Sequence, residues 1–241
     1  MAPGHDQPRW GVGDAVAGWM VAYAGAVVGG ALILSIAHPA KDRNGNPVLS
    51  LALIALLQLP LWFGFVGAPV YAAAKKGQGV VRDFGLRVRA PDVAVGVAVG
   101  LVSQWVLVPL VSLPWLRLLG KTTEDMGKVA QQLTDKATNP LGVVLLVLIV
   151  AIGAPIAEEL FFRGLVFRSV QRWLGPVPGI AISALAFGAT HFELLQFPAL
   201  TAFGAVLAWL AWRTGRLGPG IVAHMAFNGI VVVSLVSHRL G

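Results

Sequence analysis

The feature that most constrains this chain is a succession of seven long apolar stretches separated by short charged ones. A helix needs about 20 apolar residues to cross roughly 30 Å of hydrocarbon. The stretches are Ala15–Ala37, Val48–Ala74, Val93–Leu116, a fourth beginning at Pro140, then Pro178–Phe192 or slightly beyond, Leu194–Trp212 and Leu217–Ser237. Pro60 and Pro69 lie inside the second and predict a kink or break there. The fifth and sixth are separated by almost nothing, which predicts that one is short, tilted or re-entrant. The fold expected is all-α, a polytopic bundle of about 7–8 membrane helices with a polar cavity in its C-terminal half.

Composition agrees. Apolar residues make up 56% of the 241 and charged residues 12%, with a mean hydropathy of +0.75. A soluble domain holds about 45–50% and about 25%, so a single membrane domain over 1–241 is expected. Residues 1–136 would hold N-terminal spans and an interfacial helix, and 137–238 a catalytic core. The net charge of +7 does not indicate nucleic acid, because the bases fall between apolar stretches, where loops face anionic lipid. Cysteine is absent, which excludes disulfides and thiolate chemistry.

Two loops have content. Residues 75–89 hold Lys75, Lys76, Arg82, Arg87 and Arg89 against one acid, Asp83. Within 118–138, TEDMGKVAQQLTDKA reads as an amphipathic helix on the membrane surface. With seven spans, ten bases fall on the side of the N-terminus and seven on the other, which puts the N-terminus inside. The Ala, Gly and Val content points to a bacterial membrane.

The chemistry concentrates in the last hundred residues. Glu158, Glu159, Arg163, His191 and His224 lie within or against apolar runs. A charge at mid-bilayer costs roughly 2.5–3.5 kcal/mol on insertion scales, so such residues face a cavity or one another. In EELFFR, Glu159 and Arg163 are four apart and share a helix face, whereas Glu158 is turned by about 100°. One Glu is then neutralised by Arg163 and the other is free to act; a helix-end ion pair is the plainer alternative. In FGATH, Phe187 and His191 share a face, and a lone His there would be an interfacial cap. In HMAFN, His224 and Asn228 share a face, which is also a common way to join membrane helices.

Together a carboxylate, two imidazoles and an amide make a hydrolytic set. Glu or His can deprotonate water, and His and Asn can donate to an oxyanion. Glu158, His191 and His224 could instead hold a zinc ion with an open position, although the helical H-E-x-x-H spacing is absent. A transporter using these groups as a proton relay is a second reading, and a non-catalytic immunity-type scaffold a third.

EELFFR, FGATH and HMAFN resemble the motifs E-E-x-x-x-R, F-x-x-x-H and H-x-x-x-N of the CPBP family, the CAAX-type prenyl proteases and bacteriocin-processing enzymes also called Abi proteins. The resemblance covers roughly 140–237. It implies an intramembrane endopeptidase built around a water-filled cavity. Glu158 matches the catalytic glutamate, assisted by His191. His224 and Asn228 match the oxyanion pair, and Glu159 with Arg163 a supporting pair, next to Phe187. The family carries a metalloprotease label as well, but the glutamate-protease picture favours no metal cofactor. The substrate would be a peptide or membrane protein, lipidated in the prenyl-protease case. For Glu158 and His191 to meet, the fourth helix must run to about Phe167, and the fifth must continue past His191 into LLQF.

Overall fold

The computed structural model describes residues 8–240, with side chains to 237. The side chains of His238 and Arg239, just past the last expected span, lie outside the described residues. Nine helices are described: α1 Val12–Ala37, α2 Leu51–Lys76, the single turn α3 Val80–Asp83, α4 Ala90–Leu118, α5 Thr123–Thr134, α6 Pro140–Leu174, α7 Pro176–Ala189, α8 Phe197–Thr214 and α9 Gly218–Leu240. Five of them, α1, α2, α4, α6 and α9, are long and apolar enough to cross a membrane. The chain is an integral, multi-pass membrane protein. The other two expected spans are the 14-residue α7 and the 18-residue α8.

Small residues let the long helices approach. A Cβ on Gly64 of α2 would lie 2.3 Å from the Ala22 Cα of α1, and a Cβ on Gly100 of α4 would lie 2.4 Å from the Ala223 carbonyl of α9. In lipid, where apolar burial drives little, such backbone proximity supplies the packing energy. Pro60 and Pro69 sit inside an α2 that stays helical throughout. The amphipathic stretch forms α5 as expected. It is opened by a reciprocal cap in which Thr122 accepts from Asp125 N–H and the Asp125 carboxylate accepts from Thr122 N–H. Lys128 first, then these Thr122 bonds, hold that carboxyl down at about 2.

The middle of the bundle is the part of α6 from Glu159 to Phe167, which is buried on nearly every side. Phe161 stacks on Phe65 of α2 at 4.6 Å, and Phe162 meets Phe65 and the Phe187 ring of α7 edge-on. This stretch and the earlier Val147–Gly153 are wound as wide i→i+5 turns. Such turns recur at functional sites.

α6 meets the expectation and exceeds it, running unbroken past Glu158 to Leu174. α7 does not meet it: it stops at Ala189, two residues before His191. In a continuing helix the Phe187 carbonyl would accept from the His191 backbone N–H. Instead it accepts from the Thr190 hydroxyl at 2.9 Å and from His191 Nδ1 at 2.8 Å. Side chains that compete for backbone acceptors in this way end helices. Phe192 then takes a left-handed conformation, φ 55°, and seven residues rather than the expected one separate α7 from α8.

The early stop still delivers the depth the site needs. α6 and α7 are antiparallel neighbours joined only by Gly175, at φ 89°. At 1.5 Å per residue, Glu158 lies about 24 Å before the end of α6 and Ala189 about 20 Å beyond the start of α7. Glu158 and His191 thus come level in mid-bundle.

Candidate active site

Three helices supply the site. From α6 come Glu158, Glu159 and Arg163. Glu159 and Arg163 are fully buried, with Arg163 Nη1 donating to Glu159 Oε1 at 2.9 Å. The guanidinium also donates from Nη2 to the Gly204 carbonyl of α8 at 3.1 Å and lies 4.3 Å from the Phe187 ring centroid. The ion pair expected from the four-residue spacing is therefore present, and Phe187 is packed on it.

From α9 comes His224, also buried. Its Nδ1 is 3.1 Å from Glu159 Oε1, and its Nε2 is 3.7 Å from Glu158 Oε2. A carboxylate can only accept, so Nδ1 carries a proton and donates it to Glu159. The imidazole lies between the two carboxylates. Of these, Glu159 is held through Oε1 by Arg163 and His224, with Oε2 buried and without a hydrogen-bond partner among the described residues, while the Glu158 side chain keeps 17% of its surface exposed. Gly220, four residues before His224, leaves room for this contact: a Cβ there would sit 2.9 Å from Glu159 Oε2.

His191 joins through Phe187, whose ring it meets at 4.8 Å and which meets His224 at 5.5 Å, both edge-on. Because His191 Nδ1 donates to the Phe187 carbonyl, Nε2 is left with its lone pair. Asn228 lies one turn beyond His224 and donates from Nδ2 to the Val150 carbonyl at 2.9 Å, within the first wide turn of α6.

Tyr23 was not singled out by sequence. It stands on α1, in the half of the chain with no motif, and its hydroxyl donates to the Thr190 carbonyl at 2.9 Å. Its ring meets Phe65 and Phe192 edge-on and tilts against Trp19. It thus braces the turn that presents His191. A tyrosine on an apolar helix gave no pattern by which to find it.

Beside this turn an apolar groove of about 440 Å³ runs between α1, α6 and α7, with Trp19, Phe161 and Phe192 on its walls. Among the described residues no three His, Asp or Glu side chains are grouped so as to hold a metal ion.

Residues 140–230 match the family model described as Type II CAAX prenyl endopeptidase Rce1-like. Over those 91 of its 241 residues the chain is similar to this family. It is also 33% identical over 91 residues to YdiL, a candidate membrane peptidase of Bacillus subtilis (strain 168). That match covers 38% of this chain and 37% of YdiL, so the chain spans little over a third of that relative in the comparison. No solved structure matches the chain significantly. The matched span contains all three motifs and excludes Tyr23.

Proposed function

We propose that the protein is an intramembrane endopeptidase in which Glu158 takes the proton of an attacking water. The observation that supports this most is the division of labour between adjacent carboxylates. Glu159 is locked by Arg163 and His224, whereas Glu158 is partly exposed and faces His224 Nε2. In the reaction, water oxygen attacks the peptide carbonyl carbon and its proton passes to Glu158, with His191 Nε2 helping to orient the water. The C–N bond then breaks, and the proton moves from Glu158 to the leaving nitrogen.

The developing oxyanion needs donors already in place. The second N–H of Asn228 is one. His224 is the other when its Nε2 is protonated. The cluster holds two carboxyl groups and one guanidinium, so a single further proton shared by His224 and Glu158 makes it neutral. Such a proton belongs to the group as a whole.

The substrate would be a peptide or membrane protein whose apolar segment, lipid-modified or not, lies in the groove beside His191. The test is hydrolysis by the purified protein in liposomes, using a mixture of apolar peptides in ¹⁸O-labelled water. New carboxyl termini carrying ¹⁸O are expected. Their absence, with folded protein and several peptide mixtures, would count against a peptidase.

A further inference from the structure

The end of the bundle where α2, α6 and α8 finish and α4 and α9 start holds ten bases: Arg9, Lys75, Lys76, Arg82, Arg87, Arg89, Arg168, Arg172, Arg213 and Arg216. Three carboxylates accompany them among the described residues, and each is engaged. Asp14 pairs with Lys76, Asp83 accepts from Trp10 and from the Gln78 backbone, and Asp92 pairs with Arg216 at 2.5 Å. Arg82, Arg87 and Arg89 make no ion pair among the described residues.

These three line, with Arg216, a surface pocket of about 390 Å³. Its floor is rigid. The Leu217 N–H donates to the Gly85 carbonyl at 2.9 Å, and Arg168 Nη2 donates to the carbonyls of Phe84 and Gly215 at 3.0 and 2.9 Å. Gly85 and Gly215 both have positive φ, and a Cβ on Gly85 would collide with the Gly215 carbonyl. The two loops are thus clamped together, and the arginines stand on a fixed frame.

We infer that this pocket binds the phosphate headgroup of an anionic phospholipid. Unpaired guanidiniums suit phosphate oxygens, which they can grip two at a time. The position is the membrane surface, at the end that the positive-inside bias assigns to the cytoplasm, where anionic headgroups concentrate beside basic residues. Apolar side chains flank the pocket as an amphiphile requires: Val81 lines it at 42% exposed, and Val88, between Arg87 and Arg89, is 57% exposed. A soluble anion would have no use for them.

The test is native mass spectrometry of the full chain in detergent, titrated with dioleoylphosphatidylglycerol or dioleoylphosphatidylcholine. The triple variant Arg82→Gln/Arg87→Gln/Arg89→Gln is expected to bind phosphatidylglycerol about a hundredfold more weakly than the wild type, with phosphatidylcholine retention unchanged. The double variant Arg87→Gln/Arg89→Gln is expected to lose about thirtyfold, and serves if the triple variant unfolds. The opposite-end variant Lys41→Gln/Arg43→Gln/Lys121→Gln is expected to bind as the wild type does. Equal phosphatidylglycerol affinity in wild-type and pocket variants, or an equal loss in the opposite-end variant, would overturn the site. Displacement of phosphatidylglycerol by millimolar inorganic phosphate would overturn the lipid assignment in favour of free phosphate.

Discussion

His224 Nδ1 and Glu159 Oε1 lie 3.1 Å apart inside the bundle, and this bond joins the fourth apolar segment to the last, 65 residues away. The same Oε1 accepts from Arg163, so one carboxylate oxygen fixes both a cation and an imidazole. Glu159 thus holds the imidazole so that its far nitrogen lies 3.7 Å from Glu158 Oε2.

The buried pair should behave as a unit. Removing one partner of a buried ion pair costs about 3–5 kcal/mol, because the other is left uncompensated. Glu159→Met and Arg163→Met are each expected to destabilise the protein by about that much. The double variant is expected to cost clearly less than the two together. Detergent-based unfolding of the four proteins measures this, and strictly additive costs would show that the pair is not coupled.

Asn228 has a structural bond and a proposed catalytic one. Asn228→Ala is expected to lower kcat by about 10²–10³, the loss seen for one oxyanion donor, while KM changes little. The lost Val150 bond should cost only about 1 kcal/mol of stability. A raised KM at unchanged kcat would instead assign Asn228 to substrate binding.

Tyr23→Phe keeps the ring against Trp19, Phe65 and Phe192 and removes only the hydroxyl that holds the Thr190 carbonyl. A neutral hydrogen bond contributes about 1 kcal/mol, so kcat is expected to fall about fivefold with KM unchanged. A Tyr23→Phe enzyme with full kcat would mean that the His191 turn holds its place unaided.

What could be read from the sequence followed from periodicity and hydropathy. The i,i+4 spacings put Glu159 with Arg163 and His224 with Asn228 on shared helix faces, as they are, whereas Phe187 and His191 meet across the turn that follows α7 and not on one helix face. The length of α6 was legible because EELFFRGLVF keeps a helical pattern beyond the charge-free stretch. The end of α7 was not. Thr190 and His191 compete for a single carbonyl there, a contest between individual atoms that leaves the apolar pattern unchanged. The bond from His224 to Glu159 was equally hidden, since spacing along one helix says nothing about a third partner on another. Tyr23 was hidden for the same reason.

The most direct test of the central claim compares peptide termini, by mass spectrometry, in membranes of cells making the wild-type protein and cells making Glu158→Gln at equal abundance. Glu158 takes no part in the buried pair, so the variant is expected to fold. Termini found only with the wild type are the predicted result; they would place Glu158 at the centre of the reaction and identify the substrate. Identical termini from two equally folded proteins would contradict the peptidase account and favour a proton relay or a scaffold.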